Sequence, residues 1–231
     1  MRYIIRKTAL VCFIFLAAFA MGCNVATGNK QANLNGKKPL ATPQIQSNRP
    51  KIVAFGDSLT AGFGLAEKES YPYLLQEKLK AEGYDYEVIN AGVSGDTSYG
   101  GLERIDWVLE QENVKVLVLE LGANDMLRNV PVTKMKDNLG KIIKKAKDRK
   151  VRVLFCGMFA PANVGAQYQQ DYMNAFPDLA DEYDVDYLPF LLENIALDKK
   201  LNQPDGIHPN AEGEKVMTEN VYKALKPMLA K

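Results

Sequence analysis

"KIVAFGDSL", Lys51 to Leu59, sets a short apolar, β-branched run directly against a polar turn that contains one serine. The run is too short for a helix and nearly continuously apolar, the texture of a strand covered on both faces in a parallel sheet. Three further runs share it: "YEVIN" (Tyr86–Asn90), "KVLVLEL" (Lys115–Leu121) and "VRVLFC" (Val151–Cys156), with "VDYLPF" (Val185–Phe190) a weaker fifth. Helical patterns separate them. Tyr73, Leu74, Leu75 and Leu79 mark one helix, and Leu102, Ile105, Val108 and Leu109 a second. Met135, Leu139, Ile142, Ile143 and Ala146 mark a third, with Lys136, Lys141, Lys144, Lys145 and Lys147 mostly on its other side. A last helix starts near Asn210 and turns Val216, Met217, Val221 and Leu225 inward. Strand–helix alternation predicts a doubly wound, three-layer α/β/α sandwich around a mostly parallel five-stranded sheet. Ligands in such sheets bind outside the carboxyl ends of the strands, so the loops that follow the strands carry the functional reading.

The N-terminus has a different texture. Arg2, Arg6 and Lys7 precede an apolar stretch from Ala9 to Met21 that ends in small residues before Cys23. The stretch falls short of the ~20 apolar residues of a membrane span and reads as a signal peptide over residues 1–22. "AFAMGC" is similar to a bacterial lipobox, which implies an acylated Cys23, export, and attachment to a membrane by the N-terminal lipid. Residues 23–50 contain no aromatic side chain and few aliphatic ones, so they are expected to form a flexible tether spanning ~28 Å on average. The domain proper is expected over 51–231.

The whole chain of 231 residues is 47% hydrophobic and 25% charged, with a net charge of +1. Nothing in that balance points to nucleic acid as a partner. With Cys12 lost in the signal and Cys23 lipidated, Cys156 stands alone in an apolar run, as a small core residue does. The single histidine, with no His/Cys cluster and no acidic pair at ligand spacing, gives no reason to expect a metal or cofactor. The lysine-rich helix face reads as a solvated surface, with anionic lipid as the alternative.

Four loops hold the candidate chemistry. Behind the first strand, in Gly56-Asp57-Ser58-Leu59, Ser58 is either a capping hydroxyl or a nucleophile. It does not sit in the G-x-S-x-G elbow of the α/β-hydrolases, because Asp57 and Leu59 flank it. Behind the second strand, "NAGVSGDTSYGG" (Asn90–Gly101) either lets the backbone approach a ligand or is a plain junction capped by Asp96 or Thr97. Behind the third, in "LGANDMLR" (Leu121–Arg128), the amide of Asn124 can donate two hydrogen bonds, unless it serves only an Asn-Asp turn. Near the C-terminus, "QPDGIHPN" puts Asp205 three residues before His208. That spacing lets the carboxylate meet one imidazole nitrogen while the other faces outward, as a general base requires. A lone surface histidine is the bland alternative.

Taken in order, these four loops resemble the SGNH, or GDSL-type, hydrolase family, over roughly Lys51 to Leu229. "NAGVSGDTSYGGLERI", "LELGANDMLR", "PANVGAQY" and "DGIHPN" are most similar to its multifunctional thioesterase/lysophospholipase and arylesterase subgroup. The resemblance implies a flavodoxin-like fold, Ser58 as nucleophile, His208 as base and Asp205 as its orienting acid. It also implies an oxyanion hole formed by the backbone N–H groups of Ser58 and Gly95 and the side chain of Asn124. Asp57, beside Ser58, is expected to brace the loop. The implied substrates are short-to-medium acyl or aryl esters, and possible acyl-groove residues are Met158, Phe159, Val164, Tyr168, Met173 and Phe176, some of which must be core.

Two other functions fit the same chain. One is a carbohydrate O-acetyl esterase, which would want aromatic sugar platforms; Trp107 is the only tryptophan. The other is a non-catalytic envelope-binding lipoprotein. The sequence specifies neither the natural ester nor an oligomeric state.

Overall fold

The computed structural model describes residues 48–230; the expected signal peptide, Cys23 and nearly all of the expected tether lie outside them. Five strands form one sheet: β1 (Lys51–Gly56), β2 (Glu87–Gly92), β3 (Val114–Leu119), β4 (Arg152–Cys156) and β5 (Asp186–Leu188). All neighbouring pairs are parallel and the spatial order is β2-β1-β3-β4-β5. The helices between them are α1 (Ser58–Ala61), α2 (Tyr71–Ala81), α3 (Ser98–Leu109), α4 (Ala123–Leu127), α5 (Val132–Asp148), α6 (Ala166–Tyr183) and α7 (Ala211–Leu225). On one side of the sheet α2 packs on α7, and on the other α5 packs between α3 and α6. This is the expected three-layer sandwich.

Position in the sheet explains how each strand is buried. Ile52, Val53, Ala54 and Phe55 of β1 and Leu117, Val118 and Leu119 of β3 are fully buried, since both strands have neighbours on each side and helices on each face. β2 reads equally apolar in sequence, yet none of its residues is buried and Asn90 is exposed, because it is an edge strand and part of each face stays open to solvent. β5, the other edge, is only three residues long. The switch of direction from β1 to β2 on one side and β1 to β3 on the other opens a crevice at their carboxyl ends.

The helices follow their apolar periods. Met135, Leu139, Ile142, Ile143 and Ala146 of α5 are all fully buried. Four of the five lysines opposite are paired with carboxylates, Lys136 with Asp178 (2.8 Å), Lys141 with Asp137 (2.6 Å), Lys144 with Asp148 (2.7 Å) and Lys145 with Asp106 (2.5 Å), while Lys147 donates to backbone carbonyls. Each such exposed pair contributes at most about 1 kcal/mol, but together they offset most of the charge of the face, which favours a solvated surface over a lipid contact. In α2, Leu75 and Leu79 point inward as expected, whereas Tyr73 is exposed. α7 begins one residue after Asn210, whose side chain accepts from the N–H groups of Glu212 and Gly213 and so caps it.

α7 also carries a buried charge problem. Glu214 is 1% exposed and accepts a hydrogen bond from the backbone N–H of Tyr71 at 2.7 Å, which ties α7 to the start of α2. Burial pushes its carboxyl from 4.5 up to about 8. Between those pH values the folded chain keeps a proton that the unfolded chain has released, so stability falls as pH rises through this window. Glu214→Gln keeps the acceptor for Tyr71 and removes the titration. It is expected to gain on wild type by on the order of 2–4 kcal/mol between pH 5 and pH 8 in urea unfolding. An unchanging difference across that range would show that Glu214 does not titrate there.

Candidate active site

The turn after β1 is built by close approach. A side chain at Gly56 would stand 2.1 Å from Thr60 Oγ1 and 2.3 Å from Glu120 Oε2, so only glycine lets β1 end against β3. The chain then makes the four-residue helix α1, with Ser58 in its first position and Gly62 ending it at φ 73°. α1 lies on the end of β2, where a side chain at Gly92 would come within 2.3 Å of Ala61 N.

Asp57 caps this turn, accepting from Leu59 N at 3.1 Å. Its other oxygen accepts from Asn124 Nδ2 at 2.9 Å, linking the loop after β1 to the loop after β3. Asp57 is thus a brace, as its position beside Ser58 leads one to expect. Burial raises its carboxyl from 3.8 to about 6. One hydrogen of the Asn124 amide is committed to Asp57, and the second is left without an acceptor among the described residues.

His208 comes from the opposite side of the crevice. Its Nε2 lies 2.9 Å from Ser58 Oγ and its Nδ1 lies 2.7 Å from Asp205 Oδ2. Asp205 Oδ1 accepts from the backbone N–H groups of Ile207 (3.0 Å) and His208 (3.1 Å), fixing the carboxylate under the ring. The hydrogen bond from His208, followed by that from Ile207 N, lowers Asp205 from 3.8 to about 2. It stays ionised across any ordinary working pH. Ser58, Asp205 and His208, 150 residues apart at the extremes, therefore lie in one hydrogen-bonded line.

Gly95 sits in the loop after β2 at φ 81°, a left-handed conformation that favours glycine. The backbone N–H groups of Gly95 and Ser58 meet no acceptor among the described residues. The glycine loop is held from below by Arg104, which bonds Asp96 Oδ2 (2.7 Å), Ala91 O (2.8 Å) and Gly56 O (3.0 Å) and stacks on the Phe55 ring. Of the two expected caps of α3, Thr97 accepts from Gly100 N, while Asp96 is the ion-pair partner of Arg104. Arg128 Nη2 donates to Gly95 O at 2.8 Å, which ties the glycine loop to the end of α4.

Several supporting residues carry no signal in the sequence. Gln203 Nε2 donates to Phe63 O (2.7 Å) and Pro209 O (2.9 Å), joining the serine loop to the histidine loop. Phe63 leans on the His208 ring with centroids 4.7 Å apart, yet is half exposed, so it offers an apolar surface beside that ring. Val93 and Ile207, from the loops on either side, are exposed as well. The expected groove residues separate: Met158 and Phe176 are buried in the core, Val164, Tyr168 and Met173 are half-buried, and only Phe159 is exposed, stacked on Phe190 at 4.2 Å. α6 consumes most of this segment as packing against α5 and the sheet. Trp107 is exposed near the far end of α3, ~13 Å along that helix from its site-facing start, which is poorly placed for a sugar platform. Cys156 is buried, and burial pushes its thiol well up, consistent with an inert core residue. Among the described residues no cluster of His, Cys, Asp and Glu could hold a metal ion.

A five-stranded parallel α/β/α sandwich with a serine and free N–H donors at the carboxyl ends of β1, β2 and β3, and a histidine that reaches the serine from the loop before α7, defines the architecture of an SGNH-type hydrolase. A family profile described as GDSL-like Lipase/Acylhydrolase matches residues 54–216. The chain is 36% identical to Esterase TesA of Pseudomonas aeruginosa over 196 residues, covering 85% of this chain and 98% of that protein. It is 34% identical to Thioesterase 1/protease 1/lysophospholipase L1 of Escherichia coli K12, covering 77% of this chain and 84% of that one. Among solved structures, the psychrotrophic esterase EstA from Pseudoalteromonas sp., inhibited by monoethylphosphonate, superposes with a TM-score of 0.74 at 34% identity. That match covers 77% of this chain and 97% of EstA. The chain belongs to the GDSL-like lipase/acylhydrolase family and is an ester hydrolase of that class.

Proposed function

We propose that this protein is a serine esterase for short-to-medium acyl and aryl esters, with Ser58 as nucleophile, His208 as general base and Asp205 as the acid that orients it. The observation that carries the reading is the line Ser58 Oγ–His208 Nε2–His208 Nδ1–Asp205 Oδ2, at 2.9 and 2.7 Å. A serine hydroxyl is a weak nucleophile until a neighbouring base takes its proton. His208 Nε2 receives the proton as Oγ attacks the carbonyl carbon. The tetrahedral oxygen accepts from Ser58 N–H, Gly95 N–H and the uncommitted amide hydrogen of Asn124. Each such donor is worth about 3–4 kcal/mol of barrier when it is fixed in advance. The intermediate collapses, His208 returns its proton to the leaving alcohol, aryl oxide or thiol, and Ser58 is left acylated. Water then repeats the sequence and releases the acid.

The half-exposed ring of Phe63, with Val93 and Ile207, is the apolar surface on which the acyl or aryl group rests. Thioesters and lysophospholipids fall within the same chemistry, as the name of the Escherichia coli relative indicates for that protein. We also propose that residues 1–22 direct export, that Cys23 is acylated, and that residues 23–50 tether the domain of 51–231 to a membrane. Among the described residues no helix is long and apolar enough to cross one.

Hydrolysis of p-nitrophenyl esters from acetate upward, beside the matching thioesters, tests the reading. The expected result is an optimum in the short-to-medium range, with KM for the best ester raised about three- to tenfold in Phe63→Ala. Rates no higher than those of Ser58→Ala at every chain length would remove simple acyl esters as substrates.

A further inference from the structure

Glu120, the residue that follows β3, lies in the interior beside the serine turn, and the mechanism above does not use it. It is fully buried. Its Oε2 accepts from Asp57 N at 3.1 Å and from Thr60 Oγ1 at 2.8 Å, two positions that bracket Ser58. Its Oε1 is buried and has no hydrogen-bond partner, donor or acceptor, among the described residues. The ionisable groups that face it are Asp57 from the serine turn, Tyr71 from α2, Cys156 from β4 and Tyr172 from α6. None of them is a cation, and among the described residues no lysine, arginine or histidine pairs with Glu120. A carboxylate in that setting would be an unpaired buried charge, which folded proteins avoid by taking up a proton. Burial first, and the Asp57 carboxylate second, raise its proton affinity well above the ordinary range, in agreement.

We propose that Glu120 is a positioning residue that works as a neutral carboxylic acid, its carbonyl-like Oε2 holding both ends of the turn that presents Ser58. The proton sits on Oε1, the oxygen at which no donor is aimed. The same strut acts on the oxyanion side, because the Asp57 it holds by the backbone is the residue that holds Asn124 by the side chain. Loosening Glu120 therefore moves the nucleophile and one oxyanion donor together. This inference rests on the assignment of Ser58 as nucleophile.

The test compares Glu120→Gln, Glu120→Ala and Thr60→Val with wild type, with rates expressed per active site titrated by a fluorophosphonate, and with Ser58→Ala, whose rate is expressed per mole of folded protein. In Glu120→Gln the amide carbonyl accepts both bonds and the NH2 stands where the acid hydroxyl stood, so kcat and KM are expected within about threefold of wild type. Glu120→Ala is expected to lose on the order of 100-fold in kcat with KM little changed, since small displacements of reacting groups have effects of that size. Thr60→Val, which removes one of the two bonds, is expected to lose about fivefold. Rescue by glutamine is the readout that a merely structural carboxylate, or one acting as an anion, would not give. A glutamine variant as slow as the alanine variant overturns the proposal, and so does a folded alanine variant with wild-type kcat. If Glu120→Ala does not fold, Thr60→Val decides, and an unchanged kcat there overturns it. Wild-type activity in Ser58→Ala would instead overturn the nucleophile assignment, whatever the Glu120 variants do.

Discussion

Ser58→Ala and His208→Ala each lower kcat/KM for a p-nitrophenyl ester by about 10⁴- to 10⁶-fold, and the double variant is little slower than either alone. The two side chains act as one unit: without the base, Oγ is an ordinary alcohol, and without the hydroxyl, the base has nothing to activate. Ser58 Oγ and His208 Nε2 are already 2.9 Å apart, so no rearrangement is needed to start the reaction. Folding should survive both changes. Ser58 is half-buried at the surface of the crevice and His208 lies in a loop, and neither packs in the core. Steady-state kinetics beside a thermal melt separates loss of chemistry from loss of fold. Equal losses in kcat and Tm would point to a structural role instead.

Asn124→Ala is expected to cost about 10²- to 10³-fold, mostly in kcat, because in the proposed mechanism the amide bonds the transition-state oxygen more strongly than the ground-state carbonyl. A second effect follows from Asp57. It loses the 2.9 Å hydrogen bond from Asn124 that favours its ionised form, so its carboxyl should rise further above about 6. The fold is destabilised through that group as well, and more so at neutral pH than at pH 5, where Asp57 already holds its proton. The kinetic loss should exceed what any fall in stability explains. If KM rises and kcat stays put, Asn124 binds substrate and does not stabilise the oxyanion.

Much of this architecture is legible in the chain because parallel strands carry their own signal. Ile52–Phe55 and Val116–Leu119 are apolar on both faces since both faces are covered, and nothing distant needs to be known to read them. The loops behind β1, β2 and β3 and before α7 follow from that. Tyr86–Asn90 reads as strongly as the central strands, because sequence does not record that β2 is an edge. α6 is hidden by Pro177, which looks like a breaker yet lies inside an 18-residue helix held by Tyr172, Phe176 and Leu179 in the core. That is why Phe176 can be mistaken for a groove residue.

The supporting shell of the site is less legible still. Glu120 looks like a charge that closes a strand, and its partner Thr60 is 60 residues away. Gln203 reaches Phe63 across 140 residues, and Arg104 reaches Gly56 across 48. Local pattern identifies residues that face solvent or core, but a buried polar contact between distant loops leaves no period to detect. A charged residue inside an otherwise continuous apolar run, as in "KVLVLEL", is the one cue the sequence does offer.

The measurement that bears most directly on the account is mass spectrometry of the protein after reaction with a fluorophosphonate, with the labelled peptide sequenced. The account predicts one adduct per chain, on Ser58, absent from Ser58→Ala and greatly slowed in His208→Ala. No adduct on folded wild-type protein, or an adduct that persists in Ser58→Ala, would contradict it.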